Sequence, residues 1–241
     1  MTIKKACQRR QGKFFVFEGI DGAGKSTQSK LLFNYFFKNG YKVEKIDFPQ
    51  HGERSAALVD DYLTGKLGNL EQISPYAASI FFACDRYGAS FKIRKWLNEG
   101  KIVIADRYTI SNAGHQGGEI LRQKGKKEWK KYIDWLYNLE YGIFAIPRPD
   151  CTFILKITPD FSFQLANRIK DKLKQKRRAA YLGNIKNQDI LEENKKHLGF
   201  ALQSFLMVAG KFKKDFKVIE CIEGGKLLPP EIIHQKVIKF L

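Results

Sequence analysis

A short apolar run, Phe14-Phe15-Val16-Phe17, leads directly into Glu18-Gly19-Ile20-Asp21-Gly22-Ala23-Gly24-Lys25-Ser26-Thr27. Apolar residues then return as Leu31, Leu32, Tyr35 and Phe36, and Asn39-Gly40 closes the segment. This predicts a buried strand, a glycine-rich turn and a helix. Gly19, four residues, then Gly24-Lys25-Ser26 satisfies the Walker A pattern. Glycines suit the turn because the chain must wrap a phosphate with its own N–H groups, in conformations that a Cβ obstructs. A helix opening at Lys25 adds the positive end of its dipole. The Lys25 ammonium is placed to reach a transferring phosphoryl group, and the Ser26 hydroxyl to ligate Mg²⁺. A glycine-rich turn that binds nothing is the bland alternative, and the strand before it and helix after it argue against that.

The same alternation continues along the chain. Tyr41 to Ile46 reads as a second strand. Ser74-Pro75 supplies an N-cap and a first-turn proline for a helix running towards Asn98-Glu99-Gly100. Lys101 to Ala105 is a buried strand ending at Asp106, Thr152 to Ile157 is another, and Lys217 to Ile222 is a fifth. Pro230 to Leu241 is a final helix with Ile233, Val237 and Phe240 inward. Buried apolar strands separated by helices imply a parallel sheet with right-handed crossovers, and ligands on such sheets sit at the carboxyl ends of the strands. The expected class is α/β. With no internal repeat and no Pro/Ser linker, the chain is expected to form one domain over residues 1–241.

Composition narrows the options further. Forty-three Lys and Arg against 25 Asp and Glu leave a formal charge of +18. That excess fits anionic partners such as nucleotides, nucleic acid or anionic lipid, and equally a solvated basic surface. No apolar run reaches the ~18 residues of a membrane span, and no leader pattern follows Met1-Thr2-Ile3-Lys4-Lys5. Cys7, Cys84, Cys151 and Cys221 lie far apart without CxxC or zinc spacing and read as free thiols of a cytoplasmic protein.

Asp106-Arg107-Tyr108 follows the Lys101 to Ala105 strand. An Asp there is placed like a Walker B carboxylate, and Arg107 presents a planar fork suited to a phosphate bridged between donor and acceptor. A helix-capping Asp–Arg pair is the alternative. Phe82 precedes Asp85-Arg86 by three and four residues on one predicted helix, so all three share a face. An aromatic platform beside an Arg donor would stack a pyrimidine and bond its O4, although the residues alone favour plain core packing for Phe82.

The series from Glu18 to Thr27, then Phe48-Pro49, Asp85-Arg86-Tyr87, Asp106-Arg107-Tyr108, Ser111-Asn112, Gln116-Gly117 and Pro147-Arg148-Pro149-Asp150, resembles thymidylate kinase over nearly the whole chain. The resemblance implies a three-layer P-loop NTPase fold with a five-stranded parallel sheet flanked by helices. It implies phosphoryl transfer from MgATP to dTMP, and a homodimer. ATP would be held by Gly19, Asp21, Gly22, Ala23, Gly24, Lys25, Ser26, Thr27 and Arg168. The acceptor would meet Asp21, Phe48, Phe82, Arg86, Arg107, Asn112, His115 and Gln116. Magnesium would lie near Ser26, Asp21, Asp106 and Glu192, and Lys25, Arg107 and Asp21 would carry catalysis. Asp21 also fits a turn-forming Asx residue.

Several positions depart from the family's commoner pattern. Gly22 stands where one subgroup carries a loop Arg, so compensating charge is expected from a basic lid at about 168–190, through Arg168 and the run Lys172 to Arg178. A solvated helix face explains that run equally well. Gln50-His51 replaces a frequent Arg or Tyr, with Arg54 as a substitute. His115 stands where a Tyr is common, near the sugar 2′ edge, and Lys156 where an Asp is usual. Glu192 resembles one of the acids after the lid, with Glu193 beside it. Two rivals remain: a P-loop kinase of another deoxynucleotide or deoxynucleoside, and a P-loop protein that binds nucleic acid, for which no RNA-binding motif speaks.

Overall fold

The computed structural model describes residues 12–68, 72–168 and 195–241. Its main sheet is built from β1 (Lys13–Glu18), β2 (Val43–Asp47), β3 (Ile102–Asp106), β4 (Cys151–Lys156) and β5 (Phe216–Glu220). They lie in the order β2-β3-β1-β4-β5, and every neighbouring pair is parallel. The first connections from β1 lead to one side of the sheet and later ones to the other. The carboxyl end of β1 therefore opens at a topological switch point, where a crevice forms.

Strand side chains alternate between two cores because the pleat has a period of two. Phe14 and Val16 join Val103, Ala105, Ile46 and Tyr108 on one face, with Ile93 and Trp96 of α3 (Pro75–Asn98). Phe15 and Phe17 join Ile102, Ile104 and Phe153 on the other. That second face is covered by α1 (Lys25–Lys38), α4 (Thr109–Tyr137), α6 (Lys195–Lys211) and α7 (Pro230–Ile238). The three layers expected from the sequence are thus present. Two short helices, α2 (Ala57–Leu63) and α5 (Pro159–Arg168), flank the strand ends. A two-stranded hairpin, β6 (Ile222–Glu223) with β7 (Lys226–Leu227), follows β5.

Ser74 caps α3 as its sequence implies, its hydroxyl accepting from the Ala77 N–H at 3.2 Å. Asp150 ties the start of β1 to β4. Its carboxylate accepts from the Phe14 N–H at 2.8 Å and from Lys13 at 2.7 Å. Three expectations need correction. Tyr41 belongs to the turn after α1, where its N–H meets the Phe36 carbonyl, and β2 begins at Val43. β5 stops at Glu220, because Ile222 starts the hairpin. Phe240 is 48% exposed rather than inward, since α7 ends at Ile238, before Phe240 completes another turn of the buried stripe. Cys84, Cys151 and Cys221 are free thiols, and Cys7 lies outside the described residues.

The close approach of α4 to α6 depends on glycine. A Cβ at Gly118 would fall 2.7 Å from the Ala201 backbone nitrogen, and one at Gly114 would fall 2.2 Å from the Phe205 ring. Backbone cannot swing aside as a side-chain end does. Gly118→Ala should therefore destabilise by about 1–3 kcal/mol despite its better helix propensity, as overpacking usually does. Chemical denaturation checks this, and an unchanged midpoint would mean the helices separate freely.

Candidate active site

The loop between β1 and α1 is shaped by backbone conformations that glycine tolerates. Gly19, Gly22 and Gly24 have φ of +137°, +78° and +87°. At Gly19 a Cβ would also sit 2.6 Å from the Leu155 carbonyl oxygen, so the loop is pressed against β4. No side chain caps the N-terminus of α1, and no acid stands in its first turn. Its leading N–H groups therefore remain available to an anion. Lys25 folds back and donates to the Gly19 and Ile20 carbonyls, both at 2.9 Å. Ser26 is half-buried and Thr27 exposed at the mouth. From the other side, Ser162 of α5 donates its hydroxyl to the Asp21 carbonyl, a contact that no sequence pattern announced.

Arg107 faces this loop from the end of β3. Its backbone takes φ +70°, a left-handed conformation uncommon for a non-glycine residue and often found at functional sites. The Arg107 N–H is anchored to the Phe17 carbonyl at 2.9 Å. Its guanidinium Nη2 donates to Asp21 Oδ1, and the same oxygen lies 3.9 Å from Lys25 Nζ. Two cations, one opening α1 and one following β3, thus converge on one carboxylate. Both hold the Asp21 carboxyl well below the usual range, against the opposing effect of burial. Asp21 in turn raises the proton affinity of Arg107, although burial opposes it. Burial, then Arg107, pushes the Lys25 ammonium down to about 8.

Glu18 braces the opposite wall. It accepts from the Tyr108 N–H at 2.7 Å, the Ser111 N–H at 3.0 Å and the Ser111 hydroxyl at 2.7 Å. This locks the first turn of α4 onto β1. Burial raises its carboxyl to about 7, with Ser111 and Arg107 drawing it down.

A second wall is made by α3. Phe82 is half-buried, belongs to neither core, and meets Tyr62 edge-on at 6.0 Å. Phe48 is buried and tilted against Tyr108 at 5.5 Å, and its peptide bond to Pro49 is cis. Asp85 turns away from Arg86 to hold the following loop, accepting from the Gln50 N–H at 2.9 Å and the Ser55 hydroxyl at 3.1 Å. His51 pairs with Asp60 at 2.6 Å, and Arg54 opens a short 3-10 turn before α2.

Arg86 and Asn112 are the most deeply enclosed of the expected acceptor residues. Arg86 is 1% exposed and forms a two-pronged pair with Glu140, Nε and Nη2 each donating at 2.6 Å. Thr109 donates to the same carboxylate at 3.0 Å. The Arg86 edge that carries Nη1 stands outside that pair. Glu140 sits on a π-helical turn, Asn138–Ile143, and is the functional neighbour that sequence reasoning missed. Asn112 spends its amide NH₂ on the Ser79 carbonyl at 3.0 Å, joining α4 to α3. Gln116 is buried one turn along α4. His115 lies against Arg107, its Nε2 3.3 Å from Nη1.

Asp106 ends β3 beside these cations and helps raise the proton affinity of Lys25 and Arg107. Lys156 pairs with Glu220 of β5 at 2.6 Å. Arg168 is the last residue of α5, and its side chain, the basic run Lys172 to Arg178 and Glu192 lie outside the described residues. Among the described residues no group of three or more acids, histidines or cysteines gathers to hold a metal ion. The Ser26 hydroxyl and the Asp21 and Asp106 carboxylates are hard oxygen donors too few to enclose a cation. They fit Mg²⁺, which keeps waters and shares nucleotide oxygens.

A parallel sheet whose first strand feeds a glycine-rich loop, with a lysine and an arginine converging across it, defines a P-loop phosphate-binding protein. A model of the thymidylate kinase family matches residues 17–208, and the chain belongs to that family. It is similar to the thymidylate kinases of Plasmodium falciparum, at 30% identity over 64% of this chain, and of Mycobacterium tuberculosis, at 32% over 60%. The probable thymidylate kinase of Thermococcus kodakarensis is 38% identical over 60% of this chain. The chain spans 66% of the length of each of these relatives, about two thirds. The solved thymidylate kinase of Candida albicans superposes with a TM-score of 0.69 at 23% identity, over 95% of this chain and 91% of that one. That likeness shows the P-loop NTPase fold.

Proposed function

We propose that the protein transfers the γ-phosphoryl group of ATP to dTMP, giving ADP and dTDP. The observation that carries this reading is the convergence of Lys25 and Arg107 on the Asp21 carboxylate, at the mouth of the phosphate loop. That carboxylate stands where an anion is wanted, so the phosphates of two nucleotides compete for the same two cations. Lys25 then serves the donor phosphates and Arg107 the acceptor phosphate. An acceptor phosphate oxygen attacks Pγ, the bond from Pγ to the bridging oxygen breaks, and that oxygen leaves on ADP. No covalent enzyme intermediate is needed, because the acceptor phosphate is already ionised near neutral pH. What remains is positioning and charge neutralisation. Ser26, Asp21 and Asp106 would hold Mg²⁺, which would add to the neutralisation of the phosphates.

Phe82 offers an aromatic face and Arg86 a donor edge for a pyrimidine with a 4-keto group, which favours thymine over cytosine. A coupled ADP-release assay with dTMP, dUMP, dCMP, dGMP and thymidine, with and without Mg²⁺, tests the reading. dTMP should give the highest kcat/KM and require the metal. Comparable turnover of dCMP or of thymidine would overturn it.

A homodimer and a cytoplasmic location are part of the same reading. No helix of the described residues is long and apolar enough to cross a membrane. On α3, Ile80, Tyr87 and Phe91 share one face and are 42%, 41% and 60% exposed, while Ala83 is buried. An apolar stripe of this kind suits a second copy of the chain. Phe91→Glu should shift the protein from dimer to monomer in sedimentation velocity, and an unchanged coefficient would place the interface elsewhere.

A further inference from the structure

Beyond Arg107 a line of polar side chains runs from the phosphate loop into the contact between α4 and α6. His115 Nε2 is 3.3 Å from Arg107 Nη1, and His115 Nδ1 is 3.3 Å from His197 Nε2. His197 Nδ1 faces Glu119 Oε2 at 3.8 Å. The imidazole rings are near-parallel, 12° apart with centroids 5.6 Å apart, and both residues are buried. Phe205 meets the His115 ring edge-on at 5.9 Å.

The two ends of this line fix its direction. A guanidinium only donates, so His115 Nε2 must present its lone pair. A neutral imidazole then carries its proton on Nδ1, which donates to His197 Nε2. That leaves the proton of His197 on Nδ1, facing a carboxylate that only accepts. Glu119 is itself held by Arg122 Nε at 3.0 Å and Gln123 at 2.6 Å, and its carboxyl is drawn down to about 2 by His197 and Arg122. The groups facing His115 are Asp21, Lys25, Arg107 and His197. Burial lowers His115 to about 3, which keeps the ring neutral.

We propose that His115 and His197 form a one-directional hydrogen-bond relay that fixes the Arg107 guanidinium, with the Glu119 carboxylate facing its far end, and that both histidines are positioning residues for phosphoryl transfer. Arg107 is gripped at two edges. Asp21 holds Nη2 and is the partner an incoming phosphate displaces. His115 holds Nη1 and remains when the phosphate arrives, so the fork does not swing on its left-handed backbone. The kinetic role rests on Arg107 serving the acceptor phosphate, whereas the proton placement stands on geometry alone.

Two measurements test this. In ¹⁵N-labelled protein at neutral pH, the ring-nitrogen resonances of His115 and His197 should both show the proton on Nδ1. A proton on Nε2 of His115 would overturn the relay. In kinetics, His115→Phe keeps a flat ring but removes the acceptor. It should lower kcat with dTMP about tenfold, the worth of one charge-assisted hydrogen bond, with the KM for ATP unchanged. His115→Gln restores an acceptor near the Nε2 position and should recover most of that loss. Equal kcat in the Phe variant and the wild type, or equal losses in the Phe and Gln variants, would contradict the proposal. A wild-type enzyme inactive on dTMP would instead refute the functional reading, with the resonance result still deciding the relay.

Discussion

Arg107→Ala and Lys25→Ala should each lower single-turnover phosphoryl transfer by about 10²–10³, the usual cost of removing a preorganised donor to developing charge. The two losses have different routes. Lys25 bonds the Gly19 and Ile20 carbonyls, so the ammonium is already held beside the loop that would wrap the donor phosphates. Removing it takes away a charge at the phosphoryl group. Arg107 approaches from the carboxyl end of the neighbouring parallel strand β3 and meets the loop through Asp21. Its removal leaves Asp21 facing Lys25 alone, so the carboxylate repels an acceptor phosphate that arginine formerly drew in. Both effects fall on the transition state more than on ATP binding, and kcat should drop while the KM for ATP changes little in Arg107→Ala. Arg107 lies at the mouth of the site, so the fold should survive. Near-normal turnover in either variant would mean that these cations do not meet the migrating group.

Glu140→Ala should be the most destabilising single change near the site. It leaves the Arg86 guanidinium buried without its partner, a situation that typically costs about 3–5 kcal/mol. For a chain of this size that corresponds to a fall in Tm of roughly 10 °C. The double replacement Glu140→Leu with Arg86→Met removes both charges and should regain most of the loss, because an apolar pair of similar volume avoids desolvation. It should nevertheless bind dTMP poorly if the free edge of Arg86 serves the pyrimidine. Differential scanning calorimetry beside a dTMP titration separates the two consequences. A double variant that is stable and still binds dTMP at wild-type strength would show that Arg86 is purely structural.

The part of the fold legible in the sequence is the part whose signals are local. β1, the phosphate loop and α1 were readable because an apolar run, three glycines and an amphipathic stripe occupy consecutive residues. α3 was readable from Ser74-Pro75. The segment α4 was not, because Gly114, Gly117 and Gly118 dilute its helical signal and Gly125, at φ +76°, kinks it into two helical pieces. Gly114, Gly117 and Gly118 all face α6 closely, which only the tertiary structure reveals. The same holds within the site. Lys25, Asp21 and Arg107 stand in motifs, and their convergence follows from adjacent parallel strands. Glu140, Ser162 and His197 reach the site from distant segments through a π-turn, a helix start and a helix contact. No spacing rule relates them to their partners. Phe82, for which the residues alone favour core packing and the resemblance an acceptor contact, is half-buried and belongs to neither core.

The most direct test is a crystal structure with ADP, dTMP and a planar fluoride analogue of the transferring phosphoryl group. Lys25 Nζ and the Arg107 guanidinium should both lie within hydrogen-bond distance of the analogue, with Arg107 released from Asp21 and thymine lying on Phe82. Arg107 still paired with Asp21, and Lys25 still turned to the Gly19 and Ile20 carbonyls while both nucleotides are bound, would contradict the account.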